Sequence, residues 1–268
     1  MKGTDMVIFG TTDIGRQRTA NQDSFLAREL CPGLVLLCVC DGMGGAVGGA
    51  EASSLAVRAF SAAAASFAEQ HFDSEEGCFT VPAEKVGQAL AAAAREANRS
   101  VHATAAARPE LHGMGTTLAA ALVTHDLLYG VNVGDSRVYL CTADGTLRRL
   151  SRDHSYVQYL VDMGEISEDE AKYNERRNII TRAIGVEEEV EPDTFTAVAQ
   201  HSRVLICSDG LTAHLDDSAI AKILSDFTMT LEDGLLTLVT LANEAGGTDN
   251  ITAAAAETDA ERATGSEE

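Results

Sequence analysis

Apolar segments of strand length come in groups along this chain, and two long alanine-rich segments lie together between the groups. Several of the apolar segments are apolar at nearly every position, as strands are when both of their faces are buried. The predicted strands are Val7–Phe9, Leu34–Cys40, Thr116–Val123, Leu127–Val133, Arg137–Cys141, Thr194–Val198, Arg203–Cys207 and Ile251–Ala255.

Three segments have the character of long helices. Ala50–Gln70 and Ala83–Ala107 are rich in strong helix formers, and Leu231–Ala242 repeats its apolar residues at the spacing of one helical face. Grouped strands and paired helices, instead of regular alternation, predict an α+β fold with two packed, largely antiparallel β-sheets flanked by helix pairs, an αββα sandwich.

Length and composition indicate one domain. The chain has 268 residues, 45% of them apolar, and no Pro/Gly/Ser linker divides it. We therefore expect a domain over residues 1–256, followed by a disordered acidic tail over 257–268 that has too few apolar residues to pack. Within the domain, Ser167 and Glu170 have the spacing of a helix capping box, which predicts a small helical excursion, the flap, over about 154–178.

The net charge limits the possible partners, and the cysteines and the longest apolar run indicate where the protein is found. The formal net charge of −21 opposes binding to nucleic acid or to an anionic membrane. The six cysteines include no C-x-x-C pair, and the strongest apolar run, Leu34–Cys40, is far shorter than the roughly 20 residues of a membrane span. We expect a soluble, cytoplasmic monomer.

Four aspartates occupy equivalent places at the ends of predicted strands. Asp41, Asp135 and Asp209 each follow an apolar run within a residue or two, and Asp249 comes just before the last strand. If these strands are neighbours, the carboxylates converge, and several carboxylates together require cations between them. Ligands that are all oxygen favour Mg²⁺ or Mn²⁺ over zinc.

The alternative is that these aspartates are turn residues, since Asp-Gly is a favoured turn dipeptide. Asp144-Gly145, between two short apolar segments, is predicted to be an ordinary hairpin turn of this kind. Asp41 differs because five glycines follow it within eight residues, before the first long helix. Such a loop lets backbone approach a bound group closely, although it is also compatible with a simple connection.

Eight segments that span nearly the whole chain stand in one order: TTDIGRQRTANQDSF (11–25), DGMGG (41–45), GMGTTLAAALV (113–123), VGDSRVYL (133–140), LSRDHS (150–155), NIITRAIG (178–185), LICSDGL (205–211) and GGTDNIT (246–252). In content and order they resemble the metal-dependent, type-2C protein phosphatases in their bacterial form. This resemblance implies hydrolysis of phosphoserine and phosphothreonine in proteins, in opposition to a serine/threonine kinase.

The resemblance also implies a set of metal ligands. Asp41 is implied to bridge two Mn²⁺ or Mg²⁺ ions and Gly42 to contribute its carbonyl oxygen. Asp209 and Asp249 are implied to complete the shell of one of the two ions. A water bridging the two ions would then attack the phosphorus atom in line.

Three further roles follow from the same resemblance. Asp23 is implied to hold metal-bound water, and Asp135 to be a ligand, with Asp209, of a third metal ion. Arg18 is implied to bind the substrate phosphate, for which a planar guanidinium with two parallel donors is suited.

The sequence departs from the family pattern at several positions. Met43 stands where eukaryotic relatives have a histidine proposed as general acid, so that acid is unassigned, and His154 is left outside the catalytic set as a structural residue. Ala46, Glu51 and Ala213 replace or displace residues that the family often has near the metals.

Two other classes of protein remain as alternatives. A non-catalytic relative that binds a phosphorylated partner should have lost metal ligands, whereas Asp41, Asp209 and Asp249 are all present. A nuclease or phosphodiesterase would share the acidic site but would need a basic surface. The flap could select protein substrates, or it could be only a surface hairpin.

Overall fold

The computed structural model describes residues 6–258. The strands are β1 Val7–Asp13, β2 Ser24–Cys31, β3 Leu34–Cys40, β4 Gly42–Met43, β5 Phe72–Asp73, β6 Cys78–Phe79, β7 Gly115–Thr116, β8 Leu118–Val123, β9 Leu127–Val133, β10 Arg137–Thr142, β11 Leu147–Arg149, β12 Asp193–Val198, β13 Ser202–Cys207 and β14 Ile251–Glu257. The α-helices are α1 Ala46–His71, α2 Ala83–Ala107, α3 Tyr156–Asp162, α4 Glu168–Lys172, α5 Asp209–Thr212, α6 Asp217–Leu224 and α7 Leu231–Glu244.

Ten of the strands form two five-stranded sheets. One has the order β1-β14-β13-β10-β11 and the other the order β12-β9-β8-β3-β2. Neighbouring strands are antiparallel in both. The predicted fold of two packed antiparallel sheets flanked by helices is therefore confirmed.

Strand β3 shows why the apolar runs carry no alternation. Its residues from Leu34 to Cys40 are all fully buried. Even-numbered residues pack in the core that includes buried residues of α1 and α2, and odd-numbered residues pack in the core between the two sheets. Because successive side chains of a strand point to opposite faces, burial on both faces requires an apolar residue at every position.

The long helices cover the outer faces of the sheets. α1 and α2 pack on the sheet that contains β3, whereas α6 and α7 pack on the sheet that contains β13. α2 has its predicted bounds, and α1 begins at Ala46, four residues before the predicted start, because glycines at 48 and 49 lowered the expected helix propensity. No helix in the described part of the chain is long and apolar enough to cross a membrane.

Several short or exposed elements were not predicted, among them β2 and α6. β2 is an edge strand with exposed Arg28 and Glu29, so it lacks the apolar run of a central strand. α6 has only eight residues and is capped by Asp216, whose side chain accepts a hydrogen bond from Ala219 N.

Glu257 and Thr258, which were predicted to begin the tail, belong to the folded part of the chain. Glu257 ends β14 and accepts a hydrogen bond from Arg203 Nε, and Thr258 is buried and donates from its backbone N to Ser202 O at 3.0 Å. Strand pairing and the buried arginine hold these two polar residues in the sheet. Residues 259–268 of the predicted tail lie outside the described residues.

The flap segment forms a small helical excursion, as predicted. It contains α3 and α4, and a β-bridge between Ser155 and Ile180 closes its base. The capping box of α4 is present, since Glu170 N donates to Ser167 Oγ and Ser167 N donates to Glu170 Oε2.

Candidate metal centre

The sheet topology brings the four strand-end aspartates to one edge of the sandwich. β3 and β9 run in the same direction because β8 lies antiparallel between them, so Asp41 and Asp135 leave the sheet at the same edge. In the other sheet the end of β13 pairs with the beginning of β10 and of β14, which places Asp209 beside the segments that contain Asp135 and Asp249.

Asp23 enters the same group through the pairing of β2 with β3. Ser24 lies opposite Cys40, so Asp23 lies beside Asp41 at the edge of the sheet. The Asp23 side chain is buried, and its Oδ2 accepts a hydrogen bond of 2.8 Å from Ser208 Oγ. Ser208 Oγ is itself fixed by Thr252 N, which donates to it at 3.0 Å.

The backbone of Asp41 is held by two threonines that follow the second long helix. Asp41 N donates to Thr117 Oγ1 at 2.9 Å, and Asp41 O accepts from Thr117 N at 2.9 Å and from Thr116 Oγ1 at 2.8 Å. Thr117 Oγ1 also lies 2.7 Å from Ser136 Oγ. A single buried hydroxyl therefore connects the segment of Asp41 with the segment of Asp135.

Close backbone contacts explain the glycines that accompany these aspartates. A Cβ atom at Gly42 would lie 2.1 Å from Gly49 O, and a Cβ atom at Gly210 would lie 2.0 Å from Asn250 O. Both distances are far below van der Waals contact, so no other residue fits without moving the backbone. Gly42 therefore allows the loop after Asp41 to pack against α1. Gly210 allows the turn after Asp209 to pack against Asp249-Asn250.

Burial and mutual repulsion raise the pKa values of the clustered carboxyl groups. Burial, with the neighbouring charges of Asp23 and Asp209, raises the pKa of Asp41 well above its usual range. Burial raises the pKa of Asp23 to about 6 and, with the charge of Asp209, that of Asp135 to about 8. The same causes, with Asp249 as the main charge, raise the pKa of Asp209.

Several carboxylate oxygens of the cluster lack a donor. Within residues 6–258, the buried Oδ1 atoms of Asp23, Asp135 and Asp209 have no hydrogen-bond partner. A buried acceptor without a donor is destabilising, and bound cations, directly or through their water ligands, would satisfy such acceptors. The residues present therefore fit a site for hard divalent cations, although no group of three or more acidic, His or Cys side chains in the described chain forms a preorganised ligand set.

Arg18 lies at the border of this cluster. Its Nη2 donates to Asp249 Oδ2 at 2.6 Å, and both side chains are partly exposed. This hydrogen bond, with the charges of Asp249, Asp41 and Asp209, raises the pKa of the guanidinium. Arg18 thus supplies one fixed positive charge at the mouth of an acidic site.

Comparison with known proteins identifies the family. The model of the protein phosphatase 2C family matches residues 10–238. The chain belongs to this family.

Relatives and solved structures agree with this assignment. The serine/threonine phosphatase stp of Listeria monocytogenes is 39% identical over 249 residues, which cover 92% of this chain and 94% of the relative. The crystal structure of Stp1 from Staphylococcus aureus has a TM-score of 0.83 at 31% identity, covering 95% of this chain and 96% of that one. The catalytic domain of the phosphatase PstP, in complex with two manganese ions, has a TM-score of 0.76 at 32% identity, covering 94% and 97%.

The chain is therefore a metal-dependent protein serine/threonine phosphatase of the 2C type. The resemblance found in the sequence is confirmed, as is the predicted class of enzyme. The relatives give no support to a nuclease or to a binding module without activity.

His154, the histidine of the LSRDHS segment, is held by contacts at both ring nitrogens. His154 is buried, and its Nδ1 accepts a hydrogen bond of 3.1 Å from Gly134 N. Its Nε2 lies 3.2 Å from Asp193 Oδ2, and burial lowers its pKa. With both ring nitrogens engaged, His154 fixes the loop before Asp135.

The positions that depart from the family pattern have contacts of their own. Glu51 Oε1 lies 3.6 Å from Arg108 Nη1, so it forms an exposed ion pair. Met43 packs against Gly115, and Ala213 N donates to Asp209 O at 2.7 Å, closing the turn of α5. Met43 and Ala213 carry no ionisable group, and Glu51 is paired with Arg108.

Three residues that shape the site had no role in the sequence analysis: Thr117, Ser208 and Asn250. Each stood within a quoted motif, but a polar residue beside a strand end is also an ordinary turn or loop residue. Their partners are 20 or more residues away in sequence or belong to other strands, so only the folded chain reveals them.

Proposed function

We propose that this phosphatase hydrolyses phosphoserine and phosphothreonine in proteins at a centre of two Mn²⁺ or Mg²⁺ ions. Asp41, the carbonyl oxygen of Gly42, Asp209 and Asp249 would hold the two ions, and Asp23 would act on them through water. The observation that carries this proposal is the group of buried carboxylate oxygens without donors at one edge of the sandwich.

Asp135 is proposed as a ligand of a third ion, together with Asp209. Its Oδ1 has no donor among the described residues, and the charge of Asp209 contributes to raising its pKa to about 8. Two carboxylates that lie close together repel each other, and a cation bound to both would relieve that repulsion.

When bound, the ions supply positive charge to the phosphoryl group and lower the pKa of water. The protein itself contributes position and charge. Arg18, held beside Asp249 at 2.6 Å, is proposed to exchange this contact for the substrate phosphate, which offers two oxygens to its parallel donors. The general acid remains without a candidate among the side chains described above.

We further propose where the phosphatase acts and which kind of enzyme it opposes. We expect a cytoplasmic monomer whose catalytic domain acts on phosphorylated proteins, in opposition to a serine/threonine kinase. The flap is proposed to contact the protein substrate, since its base is fixed to the loop before Asp135 through His154.

An assay of phosphate release from phosphothreonine and phosphotyrosine peptides tests this function. We expect hydrolysis of the phosphothreonine peptide in Mn²⁺ or Mg²⁺, a much smaller rate on the phosphotyrosine peptide, and loss of both rates in chelator. Restoring the metal after chelation is the control for irreversible damage. Hydrolysis that persists in excess chelator would refute the metal-dependent mechanism.

A further inference from the structure

Asn250 is a buried side chain beside the candidate metal centre that binds three backbone groups. It is 3% exposed, and every polar atom of its amide is engaged. Oδ1 accepts from Gln22 N at 2.9 Å, and Nδ2 donates to Ile14 O at 2.9 Å and to Ala20 O at 3.1 Å.

All three partners belong to the backbone of one segment, residues 14–22, which we call the arginine loop because Arg18 lies at its middle. Gly247 O adds a fourth anchor, since it accepts from Arg16 N at 2.7 Å. The loop therefore rests on residues 247–250, while the Arg18 side chain reaches across to Asp249. Arg18 lies between Ile14 and Ala20, the two residues whose carbonyl groups Asn250 binds. Its position therefore depends on backbone that Asn250 fixes.

Asn250 also lies against the metal-site backbone. Its N donates to Asp249 Oδ1 at 2.8 Å, and its O packs on Gly210, where a Cβ atom would lie 2.0 Å away. One residue thus contacts the loop that carries Arg18, the carboxylate of Asp249 and the turn after Asp209.

We propose that Asn250 is a positioning residue that fixes the arginine loop so that the Arg18 guanidinium meets the substrate phosphate. This inference rests on the proposed role of Arg18 in binding phosphate. A flexible loop would leave Arg18 with many orientations, and ordering it on binding would reduce affinity. Asn250 acts through Arg18 and need not touch substrate itself.

The chain offers a matched residue that separates positioning from general stability. Asn98 is 1% exposed, and its amide also binds three backbone groups of one loop. Its Oδ1 accepts from Gly185 N at 2.6 Å, and its Nδ2 donates to Glu187 O at 3.1 Å and Glu188 O at 3.0 Å. Truncating either asparagine removes the same set of bonds, but only one of them holds Arg18.

The test is a double-mutant cycle of Asn250→Ala with Arg18→Ala, run in parallel with a cycle of Asn98→Ala with Arg18→Ala. For each protein we would measure Tm, Mn²⁺ affinity by calorimetry, inhibition by inorganic phosphate, and kcat and KM on a phosphothreonine peptide. Asn250→Ser replaces Asn250→Ala in the same cycle if the alanine variant does not fold.

We expect Asn250→Ala to weaken phosphate inhibition and to lower kcat/KM by about 10- to 100-fold, the range for a displaced binding group. In the Arg18→Ala background the same substitution should change either quantity by less than about twofold, because effects transmitted through one residue are not additive. Asn98→Ala should lower Tm, leave phosphate inhibition unchanged, and have equal effects in both backgrounds.

Two results would overturn the proposal. The first is that Asn250→Ala lowers kcat/KM by the same factor with and without Arg18→Ala. The second is that Asn250→Ala weakens Mn²⁺ binding as much as it weakens inhibition by phosphate. Either would give Asn250 a role at the metals or in stability alone. If the unsubstituted protein is inactive in Mn²⁺, the proposed function is wrong. The role of Asn250 is refuted only if the unsubstituted protein is active and one of these two results is obtained.

Discussion

Asp144-Gly145 and Asp209-Gly210 are the same dipeptide, and each follows one of two neighbouring strands. The two dipeptides lie at opposite ends of these strands. β10 and β13 are antiparallel, so the turn after β10 lies far from the turn after β13. Asp144 is exposed, and its Oδ1 accepts from Thr142 Oγ1 at 2.6 Å and from Thr146 N at 3.0 Å. These bonds lower the pKa of Asp144.

Asp209 has the opposite environment. Its Oδ1 is buried without a donor in the described part of the chain, and burial together with the Asp249 charge raises its pKa. The turn aspartate is satisfied by its own turn, whereas Asp209 keeps an acceptor that we propose a metal ion satisfies. What distinguishes a metal ligand from a turn residue is therefore the set of missing donors, and the dipeptide alone does not reveal it.

Substituting the two aspartates in the same way should give the largest contrast. We expect Asp209→Asn to lower kcat/KM on a phosphothreonine peptide in Mn²⁺ by about 100- to 1000-fold, since a metal site contributes several kcal/mol to the transition state. Asp144→Asn should change it by less than about twofold, because an exposed turn position away from the site tolerates change.

Melting in chelator supplies the control for this pair. Asp209→Asn replaces a buried carboxylate that lacks a donor, so the metal-free variant should melt no lower than the parent protein. Activity of Asp209→Asn that equals the parent's and still responds to Mn²⁺ would remove Asp209 from the metal site.

The raised pKa values predict how the metal-free protein responds to pH. An ordinary Asp has a pKa of about 4, but Asp135 in the folded protein has a pKa of about 8. The folded state therefore binds more protons than the unfolded state between these values, and stability in chelator should fall as pH rises from about 5 to about 8. Excess Mn²⁺ should reverse the trend, because the cation favours the ionised carboxylates.

Asp135→Asn isolates the contribution of this residue from the rest of the acidic surface. In chelator we expect the variant to melt about 3–5 °C above the parent at pH 8 and close to the parent at pH 5, a shift of the size that about 1–2 kcal/mol produces. Differential scanning calorimetry at the two pH values measures it. Equal differences at both pH values would mean that Asp135 is not protonated in the folded protein.

Sequence analysis predicted the central elements of the fold better than its edges. β3 and α2 have their predicted bounds because a fully apolar strand and a long run of helix formers are strong local signals. β2 was missed because an edge strand exposes charged residues such as Arg28, and α6 because it is short. Pairing with β14 extends β1 to Asp13, beyond any local signal.

The convergence of the strand-end aspartates was predictable from the sequence, whereas the contacts that hold them in place were not. Asp41, Asp135, Asp209 and Asp249 could be selected from their place at strand ends, because antiparallel neighbours bring such ends together. The contact of Arg18 with Asp249 joins residues 231 positions apart, and no local pattern encodes it. The supporting hydrogen bonds of Thr117, Ser208 and Asn250 depend on the same long-range packing.

The smallest predicted effect concerns the turn itself. Asp144→Ala removes the acceptor for Thr142 Oγ1 and Thr146 N, and we expect Tm to fall by no more than about 2 °C because the position is exposed. Gly145→Ala should lower Tm more, since Gly145 has a φ of 87°, which other residues adopt only with strain. Neither substitution should change kcat/KM in Mn²⁺, and thermal melts with parallel assays test both. A loss of activity in Asp144→Ala at unchanged Tm would mean that the turn is coupled to the site along the sheet, because the two lie at opposite ends of β10.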